Sequence, residues 1–153
     1  MQLRHPVALF FLLALAACGG GSSSPDAGDT VNCATDPRVT TYKPNLTVAS
    51  KTSGTKVTLV SSDPSPPAKA VNTWNLHVTD AAGNALPSVA LNVDTLMPDH
   101  GHKSTTIPQV TNKGGGDYTV TLLDLFMPGV WHVWFFTGTA TTDTADFWFC
   151  VQG

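Results

Sequence analysis

Apolar and polar residues alternate over short stretches of this chain, and Gly and Pro separate one stretch from the next. Residues 71–80, VNTWNLHVTD, show the alternation most clearly. Successive side chains of a β-strand point to opposite faces, so we expect Trp74, Leu76 and Val78 on one face and His77 on the other. The same pattern predicts strands at residues 56–62, 88–97, 104–110, 117–125, 130–136 and 144–151.

This succession of strands predicts an all-β fold. About seven short strands, with turn signals between them and no amphipathic helix, are typical of an immunoglobulin-like antiparallel β-sandwich. Residues 130–136, VWHVWFF, are the most apolar stretch, so we expect a central strand there. Residues 39–50 are interpreted either as an added strand or as an extended arm along the sandwich.

Two regions of the predicted sheet carry more specific expectations. Alternation places Tyr118, Val120 and Leu122 together on one face. Pro108 has no N–H to donate to a neighbouring strand, so its stretch is predicted to be a short edge strand. The glycine-rich residues 112–116, NKGGG, are predicted to form the turn that follows.

The N-terminal segment resembles a bacterial lipoprotein signal peptide. A basic start with Arg4 precedes an apolar run at residues 7–17 that is too short to span a bilayer comfortably. The run ends in LAAC, which resembles a lipobox with Cys18 as the lipidated residue. The predicted parts are a signal peptide, a flexible Gly/Ser-rich tether and one β-sandwich domain, at residues 1–17, 18–32 and 33–153.

The residue after the predicted cleavage site bears on localisation. Gly19 follows Cys18, as in lipoproteins that are sent to the outer membrane. We therefore expect a lipid-anchored protein of the cell envelope, facing the periplasm or the cell surface, with the membrane as its first partner.

Two cysteines remain once Cys18 carries a lipid. Exported compartments are oxidising, so we expect Cys33 and Cys150 to form a disulfide. Such a bond would join the start of the domain to its final strand. Two free or separately buried thiols are the alternative.

Charge and motifs narrow the functional classes. The formal net charge is −3, with 8 basic residues and 11 acidic residues that are all Asp. There is no basic patch of the kind that binds nucleic acid. The chain also lacks the G-x-S-x-G, H-E-x-x-H, Walker and dinucleotide-binding motifs. We therefore expect a binding module and no enzyme.

Residues 97–102, MPDHGH, have the composition of a metal-binding loop. In an extended segment, residues two apart face the same way, so the imidazoles of His100 and His102 can converge. Met97 adds a thioether that suits Cu(I), and imidazole accepts either copper state. Met127 stands in a second Met-Pro dipeptide and can join them if both loops lie at one end of the sandwich. The predicted metal ligands are Met97, His100, His102 and Met127.

The same loop has a structural interpretation. Pro98, Asp99 and Gly101 are what a tight turn requires, and histidines on an exposed turn are often only solvated. Elsewhere, His77 is expected on the solvent face. His132 is expected to be a packed or hydrogen-bonded histidine.

Three separated motifs, in order, resemble the YtkA-like domain family of small exported bacterial proteins and lipoproteins. The first is residues 72–93, which resemble W-x-V-x-[VL]-x-D-x-x-G-x-P with two extra residues before the proline. The second is MPDHGH, and the third is GDYTVTLLDLFMPGVWHVWF at residues 116–135. The resemblance extends over residues 71–151. It implies an immunoglobulin-like sandwich with the MPDHGH loop as ligand motif.

The resemblance also extends, more distantly, to the periplasmic part of FixH-type proteins, which are linked to the assembly of copper-containing cytochrome oxidases. Copper is therefore the expected cofactor or cargo. The first hypothesis is a lipid-anchored envelope domain that binds or delivers a metal ion such as copper, with an envelope protein as a further partner. The alternative is a structural or protein-interaction module without a ligand.

Overall fold

The computed structural model describes Gln2 and residues 35–153, and regular structure in this part of the chain is almost entirely β. This part of the chain contains no helix with the length and hydropathy needed to cross a bilayer. The strands of this part are β1 (Leu46–Ala49), β2 (Lys56–Asp63), β3 (Val71–Thr79), β4 (Leu91–Leu96), β5 (Gln109–Gly114), β6 (Asp117–Asp124), β7 (Gly129–Thr137) and β8 (Ala145–Val151).

The strands form two antiparallel sheets. One sheet has the order β1-β2-β3-β6-β5, and the other has the order β4-β7-β8. The predicted all-β sandwich is confirmed, with eight strands where about seven were expected. The strand β7, predicted from its apolar sequence to be central, is the middle strand of the smaller sheet.

The core lies between the two sheets. Trp74, Leu76 and Val78 of β3 are buried, as their alternation predicts, while Asn75 is exposed. The Trp74 indole packs against aromatic rings of the opposite sheet at centroid distances of 5.6 to 6.2 Å; these are Phe135, Phe147 and Phe149. Buried aromatic rings in tilted and edge-to-face contact contribute large apolar areas, so this cluster joins the two sheets.

The prediction for one face of β6 is wrong at Leu122. Tyr118 and Val120 are buried, but Leu122 is 39 % exposed and Leu123 takes the inward position. The pairing with β3 shifts by one residue, and Leu122 has a φ of 57°. An extra residue in one strand turns every later side chain to the other face, which the sequence pattern alone does not reveal.

The predicted edge strand lies later in the chain than expected. Strand β5 is an edge strand of the larger sheet, but it begins at Gln109, directly after Pro108. Asn112 and Lys113 belong to this strand, and only Gly115 and Gly116 form the turn to β6. Proline thus precedes the hydrogen-bonded ladder, where its missing N–H has no cost.

The segment before β2 contains both structures that its sequence suggested. Its last part is strand β1, and its first part is an extended arm against the smaller sheet. The Thr40 N–H donates to the Trp148 carbonyl at 2.8 Å. The Tyr42 ring meets Phe149 edge-on, and its hydroxyl accepts a hydrogen bond from the Ser62 N–H at 3.3 Å. The arm is therefore fixed to both sheets.

Candidate functional site

The MPDHGH motif forms a closed loop at the end of β4. The Met97 N–H donates to the His102 carbonyl at 2.8 Å, which makes an antiparallel bridge between the first and last residues of the motif. The N–H groups of His100 and Gly101 donate to the Met97 carbonyl at 3.1 and 2.9 Å. Gly101 has a φ of 68°, a backbone conformation that glycine adopts without steric cost.

The side chain of Met97 joins this loop to the second Met-Pro bend. Met97 is fully buried, and a Cβ built on Gly129 would lie only 2.1 Å from its terminal methyl carbon. The Met97 thioether therefore lies directly over the Gly129 backbone. The two loops lie at the same end of the sandwich, which is the arrangement that a shared site requires.

The two histidines of the motif are neighbours with different environments. Their ring centroids are 5.7 Å apart, His100 is exposed, and His102 is half-buried. The His102 ring stacks on Phe126 at 5.5 Å and meets the edge of Trp131 at 6.3 Å. These contacts hold the His102 imidazole against the end of the core.

One nitrogen of His102 has no partner within the described part of the chain. Its Nδ1 atom is buried and makes no hydrogen bond. A buried polar atom without a partner costs about 1–3 kcal/mol, so such atoms are uncommon in folded proteins. Like Nε1 of Trp74 in the core, this nitrogen has a hydrogen-bonding capacity that no described residue uses.

The separation of the two rings is compatible with a shared ion. An imidazole nitrogen binds a transition metal at about 2.0–2.1 Å, so two ligating rings have centroids roughly 4.5–6.4 Å apart for coordination angles of about 90–180°. The observed 5.7 Å between His100 and His102 lies in this range. Among residues 35–153, no group of three or more His, Cys, Asp or Glu side chains is placed to hold a metal.

The fourth predicted ligand, Met127, lies in the bend beside the loop. Its side chain is half-buried and packs against the core. Its carbonyl accepts a hydrogen bond from the Trp131 Nε1–H at 2.9 Å, so the indole that borders His102 also fixes the bend. The structure thus brings Met97, His100 and His102 into one loop and places the Met127 bend next to it.

Sequence reasoning missed Arg38, which binds the loop from the arm. Its Nη1 and Nη2 atoms donate to the two carboxylate oxygens of Asp99, each at 2.7 Å. Nε and Nη2 also donate to Asp36. Hydrogen bonds from Arg38 lower the pKa of Asp36 from 3.8 to about 2 and lower the pKa of Asp99. The sequence offered one signal: after Arg4, this is the only arginine.

The remaining histidines of the domain, His77 and His132, each contact a carboxylate. The His77 Nδ1 atom lies 2.6 Å from Asp117 Oδ1 on the larger sheet. The His132 ring stacks on Trp148 at 4.0 Å and on Trp134 at 4.6 Å. Its Nε2 lies 2.7 Å from Asp146 Oδ1. His132 is therefore packed and hydrogen-bonded, as its sequence context predicts.

Two of the three cysteines fall outside the described residues. These are Cys18, the predicted lipidation site, and Cys33. Cys150 lies in β8 beside Val130 and is disulfide-bonded. Its pairing with Cys33 stays a prediction.

Comparison with known proteins identifies the family of this chain. The family model described as YtkA-like matches residues 49–135, more than half of the chain. The matched range runs from the end of β1 to β7 and includes both Met-Pro bends and the MPDHGH loop. No curated protein matches the chain.

Proposed function

The chain belongs to the YtkA-like family, and we propose that it is a lipid-anchored domain of the cell envelope that binds or delivers a metal ion such as copper. The ion binds at the MPDHGH loop, with His100 and His102 as the main ligands. Met97 and Met127 are soft ligands beside them. The domain binds its ion and catalyses no reaction.

The buried, unpartnered Nδ1 atom of His102 carries this proposal. A metal ion at this nitrogen would remove the cost of burying it without a hydrogen bond. The exposed imidazole of His100, at a centroid distance of 5.7 Å, supplies a second nitrogen on the solvent side. An ion that binds both rings would approach from the side of His100, and the His102 ring would have to turn its buried Nδ1 atom towards it.

The donor set favours copper over harder ions. Thioether sulfur is a soft ligand that suits Cu(I), and imidazole suits copper in both states. Methionine has three rotatable bonds, so Met127 can move towards an ion without a backbone change. A set of two imidazoles and thioethers, without a cysteine thiolate, is consistent with weak and exchangeable binding. A protein that hands its ion to another protein needs that property.

The anchor and the disulfide complete the proposed molecule. Lipidation of Cys18 places the domain at a membrane of the cell envelope, in an oxidising compartment where Cys33 and Cys150 pair. The partner that receives the ion is then another envelope protein. Mass spectrometry of peptides prepared without reductant tests the pairing, and two alkylatable thiols would contradict it.

Copper titration tests the proposed function. Cu(I), in competition with a chromogenic chelator, and Cu(II) are titrated into the wild type and the His100→Ala/His102→Ala double variant. We expect the wild type to bind and the double variant to lose most of its affinity. His77→Ala is the matched control, because it removes a histidine from the opposite sheet. Equal affinity in the wild type and the double variant, or no binding in either, refutes the proposal.

A second candidate function is a protein-interaction module without a ligand. Trp134 and Trp148 favour it, because both indoles remain partly accessible on the outer face of the smaller sheet. Tryptophan is enriched at protein interfaces. A wild-type protein that binds neither copper state would leave this function as the better account of the domain.

A further inference from the structure

The guanidinium group of Arg38 holds two carboxylates from different parts of the chain. Asp99, in the MPDHGH loop, accepts two hydrogen bonds of 2.7 Å from Nη1 and Nη2. Asp36, in the arm, accepts bonds from Nε at 3.0 Å and from Nη2 at 2.6 Å. The planar fork of arginine matches a carboxylate in this geometry, so the contact fixes orientation as well as distance.

The arm that carries Arg38 is attached to the sandwich independently of the loop. Thr40 donates its N–H to Trp148 in β8, and Tyr42 contacts Phe149 and Ser62. Loss of the Arg38 side chain would leave these contacts in place. Arg38 is thus a link between a firmly attached arm and a loop that is otherwise held by its own hydrogen bonds and by the packing of Met97 and His102.

We infer that Arg38 is a positioning residue for the metal loop and that the docked arm controls the affinity of the site. Asp99 directly precedes His100, so its two hydrogen bonds from Arg38 fix the backbone that carries the exposed imidazole. His102 is held separately, by Phe126 and Trp131. The contact with Arg38 therefore keeps the exposed imidazole of His100 next to the packed imidazole of His102. This inference rests on the proposed function.

A positioning role of Arg38 and an effect of its charge alone predict opposite changes in the affinity for the metal ion. A guanidinium close to a bound cation repels it, so an effect of charge alone would make the ion bind more tightly when Arg38 is replaced by glutamine. A positioning effect makes binding weaker, because a smaller fraction of the protein then holds both imidazoles in the binding arrangement. Arg38→Lys keeps the charge but loses the two parallel hydrogen bonds. If Arg38 acts by positioning the loop, the metal affinity of Arg38→Lys should resemble that of Arg38→Gln. If it acts by its charge, the affinity should resemble that of the wild type.

The experiment uses the full chain purified in detergent, titrated with Cu(I) and Cu(II). We expect both Arg38→Gln and Arg38→Lys to raise the dissociation constant by about two- to fivefold, the range of an exposed ion pair. Lys103→Gln is the matched control, because it removes a cation next to His102 that is bonded to Asp94 and not to Asp99. Tighter binding by Arg38→Gln, or unchanged binding by Arg38→Lys, overturns the inference.

Hydrogen exchange without metal separates this inference from the proposed function. The amides of His100 and Gly101 both donate to the Met97 carbonyl, so their exchange reports the order of the loop. We expect faster exchange of these two amides in Arg38→Gln, with unchanged exchange in β7 as proof of an intact fold. If the wild type binds no copper, the proposed function fails and the exchange rates still decide the role of Arg38. Unchanged exchange at both amides overturns it.

Discussion

The contact between Met97 and Gly129 predicts a strong and specific effect of Gly129→Ala. Gly129 has a φ of 135°, a conformation that residues with a Cβ rarely adopt. A Cβ there would lie 2.1 Å from the Met97 terminal methyl carbon, where carbon atoms normally stay about 3.5–4.0 Å apart. The substitution therefore strains the backbone and displaces a fully buried side chain.

The two effects can be sized separately. A non-glycine residue in a sparsely populated backbone region costs about 1–3 kcal/mol. An added methyl group in a packed core costs about 1–3 kcal/mol more. We therefore expect Gly129→Ala to lower the free energy of unfolding by about 2–6 kcal/mol. Met97→Ala, which leaves a cavity, is expected to lower it by about 2–5 kcal/mol.

The double variant distinguishes the clash from the backbone strain. Without the Met97 side chain the added Cβ meets no methyl group, so only the strain remains. The double variant should be less destabilised than the sum of the single variants, by about 1–3 kcal/mol. Urea unfolding followed by tryptophan fluorescence measures all four proteins, with an excluded osmolyte added if a variant is too unstable. If the effects of the two substitutions on the free energy of unfolding add within about 0.5 kcal/mol, the Cβ added at position 129 does not contact the Met97 side chain.

Two further predictions concern the loops and the bulge. Hydrogen bonds from Ser53 and the Thr52 backbone lower the pKa of Asp143 from 3.8 to about 2. The stability that this carboxylate contributes is therefore complete above about pH 4 and is lost as the pH falls towards 2. Asp143→Asn should therefore lower the urea midpoint at pH 7 and flatten its fall between pH 4 and 2; parallel curves for variant and wild type would contradict this. Leu122→Gly, at a positive φ on the exposed side of the bulge, should change the free energy of unfolding by no more than about 1 kcal/mol in either direction. Leu123→Ala should lower it by about 2–5 kcal/mol. Urea unfolding that ranks the two variants in the opposite order would show that the bulge is placed wrongly.

The fold follows closely from the spacing of apolar residues. Alternation correctly placed Trp74, Leu76 and Val78 in the core, because a strand packed on one side must repeat with a period of two. The same rule failed at Leu122, since a bulge adds one residue without a sequence signal. The position of β5 was also predicted too early, because its polar residues carry no alternation.

The site was predictable only in part. The MPDHGH sequence identified the loop and its two histidines, and the repeated Met-Pro dipeptide suggested which second loop lies beside it. The contact between Arg38 and Asp99 joins residues 61 positions apart and depends on how the arm docks. The burial of the His102 Nδ1 atom likewise depends on packing against Phe126 and Trp131. The spacing of apolar residues in the sequence does not predict such packing.

The contact of Arg38 with the loop also has a consequence for the proposed anchoring of the chain at Cys18. It places the start of the described domain, at Asp36, beside the same end of the sandwich that carries His100 and His102. If the predicted tether of residues 18–32 behaves as a flexible Gly/Ser-rich chain anchored at Cys18, its ends are roughly 20 Å apart on average and at most about 50 Å. Under that proposal, the loop would work within a shell of this thickness above the bilayer. Proteins embedded in that membrane would then be within reach of the loop, and proteins that diffuse freely through the compartment would meet it only when they approach the surface.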